Sequence, residues 1–190
     1  LSYIVERSEI GEDKEKIFSI QIPEKAGSFL KLSKIFSNSQ ITEFNYRLSD
    51  PNDAHVLVGI KTKSAKNFIS LKNKLSKNHY PFKDLTKNEI SNDHLRHMVG
   101  GRSTTARTER VFRMEFPERP GALLDFLEKL GNKWNITLFH YRNLGSAFGK
   151  VLVGIQDSSK NKELLKRYLK RTGYTFTEET SNIAYKHFLE

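Results

Sequence analysis

Cysteine is absent from all 190 residues. Without it there is no disulfide framework, no thiolate zinc site and no cysteine nucleophile, and a reducing compartment suits the chain. No apolar run approaches the roughly 20 residues needed to cross a bilayer, and no basic-then-apolar leader is visible; a soluble, cytoplasmic protein with no membrane partner is expected. Gly100-Gly101-Arg102-Ser103 lacks both a preceding strand and the Gly-Lys-Ser/Thr ending of a phosphate loop, and reads as a helix-ending linker. His94 and His97 lie three apart, but no further ligand is placed to complete a metal site. No Ser, His and acid set sits in a nucleophile elbow and no lysine in a Schiff-base setting, so catalysis by this chain alone is not expected. Acids are scarce beside bases, 22 against 32, for a net charge of +10. A basic face can release counterions from nucleic acid. Here, however, Lys61, Lys63, Lys66, Lys72, Lys74 and Lys77 gather on one helix and its approach, the pattern of a solvated helix face.

What the chain does contain is the same text twice, about 95 residues apart. IFSIQIPEKAGSFLKL, ITEFNYR and VLVGI in residues 17–60 answer to VFRMEFPERPGALLDF, NITLFHYR and VLVGI in residues 111–155, in the same order. Pro23, Glu24 and Gly27 match Pro117, Glu118 and Gly121; Tyr46 and Arg47 match Tyr141 and Arg142. A repeat this long exceeds a solenoid unit and suffices for a core of its own, so two related compact modules in tandem are expected.

Within the first copy, alternation over 17–22 predicts a half-buried strand, and Pro23 ends it. Phe29, Leu32 and Phe36 fall three or four apart after Gly27-Ser28, predicting a helix through 29–36 with an apolar stripe. Strands at 41–48 and 54–60 flank the turn residues Asp50 to Asp53, and a helix at 64–76 and a short strand at 81–85 complete a βαββαβ unit. The second copy predicts the same elements at 111–116, 121–132, 135–143, 148–156, 160–171 and 174–177. The fold class expected is α+β, with two ferredoxin-like units packed side by side. The proposed divisions are a helix tail at 1–12, a first unit at 13–93, a connector at 94–106 and a second unit at 107–190. The opening residues read as the end of a helix entering from elsewhere, as in a fragment of a longer polypeptide.

The strand-to-helix turn is the best candidate for chemistry. Both copies spell Pro-Glu-(Lys or Arg)-x-Gly there. Glycine lets backbone approach a ligand, and a helix start offers unpaired N–H groups to a carboxylate. Gly27 and Ser28, with Gly121 and Ala122, are therefore candidates, as are the tyrosines Tyr46 and Tyr141 and their neighbours Arg47 and Arg142. Neighbours on a strand point to opposite faces, so only one of each Tyr-Arg pair can line a given cleft. A capped helix and a satisfied buried tyrosine remain the alternative readings. Asn135 is a further candidate, as an acceptor.

EFPERPGALLDFLEKLGNKWNITLFHYR, with IPEKAGSFLKL and ITEFNYR in the first copy, HLRHMVGGR between copies and YIVERSEIGE at 3–12, resembles the C-terminal regulatory region of biosynthetic threonine dehydratase along essentially the whole chain. The resemblance implies two ACT-like subdomains that bind isoleucine as inhibitor and valine as its antagonist. It also implies a pyridoxal-phosphate catalytic domain in cis, absent here, that converts threonine to 2-oxobutanoate and ammonia within a homo-oligomer. This chain would itself hold no cofactor. By the same resemblance Tyr46 and Tyr141 match effector positions, and Arg142 and the connector's Arg96 fall where feedback sensitivity responds to change. Ala26 against Pro120, Glu43 against Leu138 and Asn45 against His140 leave open which copy prefers which effector. An RNA-binding pair of the same topology, and an assembly module without effector, stay open as alternatives; the third strand of the second copy lacks the paired aromatics that stack bases.

Overall fold

The computed structural model describes residues 15–92, 102–117, 119–142, 148–160 and 162–190. The helix tail expected at 1–12, Arg96, His94, His97 and Glu118 lie outside the described residues.

Each copy folds as βαββαβ. The first comprises β1 (Glu15–Pro23), α1 (Ser28–Ser33) with a 3₁₀ turn at Lys34–Phe36, β2 (Gln40–Arg47), β3 (Asp53–Lys61), α2 (Ala65–Lys77) and β4 (Phe82–Asp84). The second comprises β5 (Glu109–Pro117), α3 (Ala122–Leu130), β6 (Asn135–Arg142), β7 (Phe148–Gln156), α4 (Lys162–Arg171) and β8 (Phe176–Glu178), followed by α5 (Ile183–Phe188). The expected first helix is shorter than its apolar stripe, since Ser33 Oγ donates back to Leu30 O at 2.9 Å and the chain tightens into the 3₁₀ turn. α5 has no counterpart among the elements expected from sequence. It is six residues long, started by Asn182, whose side chain accepts from Ala184 N at 2.9 Å.

The strands form one antiparallel sheet of eight, in the order β4-β1-β3-β2-β6-β7-β5-β8. The copies join through β2 and β6, where Asn45 faces His140, its own repeat counterpart. A pseudo-twofold axis therefore passes between these two residues. The outermost strands, β4 and β8, have three residues each, which leaves little edge for unwanted pairing.

Helices α1 to α4 cover one face. Phe18, Ile20 and Ile22 from β1, and Phe112, Met114 and Phe116 from β5, point into that layer and meet Leu32, Leu71, Leu75, Phe126, Leu165 and Leu169. Phe44 and Phe139 meet edge-on across the seam at 5.5 Å, both essentially inaccessible, so the two cores are continuous. Burying such side chains contributes about 1.5–3 kcal/mol each. Among the described residues no helix is long and apolar enough to cross a membrane.

The repeated VLVGI has a local cause. Register slips at Thr42 and at Thr137, one bulge per copy. A Cβ on Gly59 would stand 2.6 Å from Thr42 Oγ1, and one on Gly154 would stand 2.7 Å from both Leu138 Cβ and Glu109 Oε1. Only glycine lets the neighbouring strand pass the bulge.

Candidate functional site

The two strand-to-helix turns share one geometry. Lys25 N donates to Pro23 O at 2.9 Å and Ser28 N to Lys25 O at 3.1 Å; Arg119 N donates to Pro117 O at 2.8 Å and Ala122 N to Arg119 O at 3.3 Å. Gly27 (φ 85°) and Gly121 (φ 83°) both take the left-handed conformation, and neither helix start carries a side-chain cap. The helical bonds begin with Lys31 N to Gly27 O and Asp125 N to Gly121 O. The N–H groups of Phe29 and Leu30, and of Leu123 and Leu124, precede these bonds and are those a helix leaves without internal partners.

The twofold arrangement sets each turn against the other copy, producing two corners. The first gathers Gly27, Ser28 and Tyr46 with Asn132 and Asn135 from across the seam. It is shut. A Cβ on Gly27 would meet Asn132 Oδ1 at 2.7 Å. Asn135 Nδ2 donates to Glu24 Oε1 at 2.9 Å, and the Tyr46 hydroxyl donates to Glu24 Oε2. Burial pushes the Glu24 carboxyl above its ordinary value while the bonds from Tyr46 and Asn135 pull it back. Burial and the same carboxylate push the Tyr46 hydroxyl upward, so it stays a neutral donor. Asn135 thus belongs to the first copy's corner although it lies in the second copy's sequence.

The second corner is open. A cleft of about 500 Å³, counted to its mouth, runs between Ser37, Ser39, Gln40 and Ile41 of the first copy and Phe116, Arg119, Gly121, Ala122, Leu123, Leu124 and Tyr141 of the second. Only about 30 Å³ of it gives room for a water to move, so its inner part is nearly closed. The nearest atom to a Cβ on Gly121 would be Ser37 O at 3.8 Å, more than an ångström farther than at Gly27. The Tyr141 hydroxyl donates to Ile41 O at 3.4 Å, long for such a bond. Arg119 is largely exposed at the mouth, 3.8 Å from Asp125. Ser39, on the wall of this cleft, has Trp134 as its repeat counterpart, 5% exposed and edge-on to Tyr168 of its own copy at 5.8 Å.

Arg47 is placed elsewhere. Strand alternation carries it to the sheet face opposite Tyr46, where its guanidinium pairs with Glu109 and donates to Leu189 O behind α5. Glu109 also accepts from Thr137 and, at 2.7 Å, from the Tyr185 hydroxyl. A buried charge with these partners serves to fasten α5 and the seam. Arg142 follows Tyr141 on β6, and burial draws its guanidinium below the usual value. The two glycine turns and the two tyrosines named from the sequence lie at these corners, while Glu24, Gln40 and Arg119, which also line them, were not named as candidates. Glu24 had left a signal, an acid at the same place in both turns.

The open corner offers helix-start donors and a cation beside apolar walls, at a seam whose two sides come from different copies. Two ferredoxin-like βαββαβ units fused through their second strands, with one such cleft at the seam, make a tandem module whose sheet is shared by both copies. The chain belongs to the family described as the C-terminal regulatory domain of threonine dehydratase, whose pattern matches residues 6–95 and again 100–189. It is similar to the biosynthetic L-threonine dehydratase IlvA of Burkholderia multivorans, 41% identical over 189 residues, covering 100% of this chain and 37% of that protein. The IlvA protein of Escherichia coli is 40% identical over 190 residues, with the same coverage. The chloroplastic threonine dehydratase of Arabidopsis thaliana is 37% identical over 176 residues, covering 93% of this chain and 30% of its own length. The chain spans 37% of the length of these bacterial relatives.

Proposed function

We propose that this chain is the effector-sensing part of a biosynthetic threonine dehydratase, and that its open corner binds isoleucine, with valine as the opposing effector. The cleft at Gly121 and Tyr141, walled by both copies, carries the reading. An amino acid's carboxylate suits the N–H groups of Leu123 and Leu124 and the charge of Arg119. Its ammonium suits Ser37 O and the Gln40 amide, and a branched side chain suits Phe116, Leu123 and Ile41. The inner cleft holds little more than water, so a ligand that fills it has to part the copies.

That requirement links binding to regulation. Isoleucine exceeds valine by one methylene, about 0.8 kcal/mol when buried, which separates their affinities only about fourfold. Opposite effects need different preferences for two packings of the seam, and couplings of about 1–3 kcal/mol between sites are typical. For the longer protein the proposed activity is conversion of threonine to 2-oxobutanoate and ammonia, with pyridoxal phosphate held by a catalytic domain in cis. No residue of this chain is assigned to that chemistry.

The test is titration calorimetry with L-isoleucine and L-valine, with L-threonine and D-isoleucine as controls. Saturable, stereospecific heat for isoleucine is expected, lost when Gly121→Val fills the cleft. Equal heats for both enantiomers, or none for any, would leave an assembly module without effector.

A further inference from the structure

A groove of about 650 Å³ lies beside the cleft, separated from it by Ser39 and Gln40, which line both. Its opposite wall is α2, through Asn67 and Leu71, and Lys61 and Lys63 stand where β3 runs toward that helix. Neither Gly121 nor Tyr141 lines it. We propose that this groove is a separate ligand site, for a small aromatic carboxylate. It does not depend on the cleft binding isoleucine.

The second copy supplies the ring itself. There Trp134 takes the place of Ser39, and its indole reaches α4, where it meets Tyr168 edge-on at 5.8 Å. Lys133, the counterpart of Asn38, holds its ammonium 5.5 Å and 5.6 Å from the centres of these two rings. An indole beside a cation therefore spans the distance from the segment before β6 to the helix after β7. In the first copy Ser39 brings no ring, Lys74 stands at the place of Tyr168, and the space is open. The base of the groove remains apolar, since Ile60 and Leu71 are 1% and 4% exposed. A flat ring laid on them restores the contact that Trp134 makes in the other copy. Lys74, one turn along α2 from Leu71 on the same face, provides a cation for it.

Charge selects the rest of the guest. Residues 54–83 contain seven lysines and no aspartate or glutamate. No acid is found among the described residues lining the groove, and Lys63 has no ion-pair partner among the described residues. A carboxylate is drawn to this rim, while the ammonium of a free amino acid is repelled by it. The groove thus favours a plain aromatic acid over the zwitterion that suits the cleft. Its volume lies within the range of about 300–1,000 Å³ usual for small-molecule pockets.

Indole-3-acetate is the probe, followed on the full chain by saturation-transfer NMR and calorimetry. Saturable binding in the millimolar range is expected. It should be about two- to fivefold weaker for indole, which lacks the carboxylate, and for cyclohexylacetate, which lacks the aromatic face. Asn67→Trp, an exposed position on the groove wall, should fill the groove and abolish binding while leaving isoleucine heat at the cleft unchanged. Should that variant fail to fold, Lys63→Glu, also at an exposed position, should weaken indole-3-acetate about two- to fivefold and leave indole unaffected. No saturable binding to the parent, or full retention of binding in both variants, would overturn the proposal. Binding of indole-3-acetate with no isoleucine heat in any protein would uphold this site and overturn the effector reading of the cleft instead.

Discussion

Two corners built from the same repeated text have opposite states. At Gly27 the seam is closed by Glu24 and Asn132; at Gly121 a cleft remains between Ser37 and Tyr141. The described residues of the two turns share their backbone hydrogen bonds and the φ of their glycines. What differs is the residue each turn meets across the axis: Asn132 for Ser37 and Asn135 for Gln40. Backbone geometry therefore makes a site possible, and the opposite copy decides whether space is left in it.

The largest contrast is expected on the far face. Arg47→Ala leaves Glu109 buried without its cation and should cost about 3–5 kcal/mol in urea unfolding. Arg142→Ala, at a position only half buried, should cost about a third of that or less. Similar losses at both would mean that the copies carry equivalent loads.

Trp134→Ala should cost about 3–5 kcal/mol as a large buried ring is lost, whereas Ser39→Ala should change stability by less than about 0.5 kcal/mol. The reverse transplant is more telling. Ser39→Trp should abolish isoleucine binding at the open corner and leave the melting temperature nearly unchanged; retained binding would show that bulk at this position does not close a corner.

Acid stability should also divide the copies. Arg110 holds Glu178 through two bonds of 2.9 Å, and chiefly for that reason its carboxyl falls from 4.5 to about 2. A lowered carboxylate gives its full stabilisation above the ordinary value and loses it as pH falls from about 4.5 toward 2. Asp84, its repeat counterpart, is also lowered, by Lys72 and Thr86 against the opposing effect of burial, but it has a single lysine contact at 2.8 Å. Glu178→Gln should cost about 1.5–3 kcal/mol at pH 7, and Asp84→Asn less than about 1. The Glu178→Gln difference from the parent should shrink across that window in melts taken from pH 5 to 2.5.

The finest contrast concerns the tyrosines. Tyr141→Phe should weaken isoleucine binding about 2- to 12-fold through loss of one hydrogen bond. Tyr46→Phe should leave isoleucine binding at the open corner unchanged, because its hydroxyl is spent on Glu24. Equal weakening by both would place ligand in both corners of the parent.

The sheet was legible because its strands alternate and the pattern occurs twice; Ile17 to Ile22 and Val111 to Phe116 could hardly be read otherwise. α5 was not, since six residues started by Asn182 carry too short a period to register. Tyr46 and Arg47 could be separated by alternation alone, and the structure puts them on opposite faces. The partnership of Asn135 with Glu24 could not be read from either copy, because it depends on how β2 meets β6 across 111 residues of chain. Trp134 does not stand out in the sequence, where it is simply another apolar residue before a strand, and its edge-on contact with Tyr168 comes from the fold.

The pairing of Asn45 with His140 at the centre of the sheet has one more consequence. Were the two halves separate, identical molecules, every substitution would arrive on both sides of that axis at once, and the corners could only change together. Written in one polypeptide, each position near the axis is a single letter with a single effect. Inheritance can then vary one corner without the other, and the equivalence written into the repeat need not be kept at the seam.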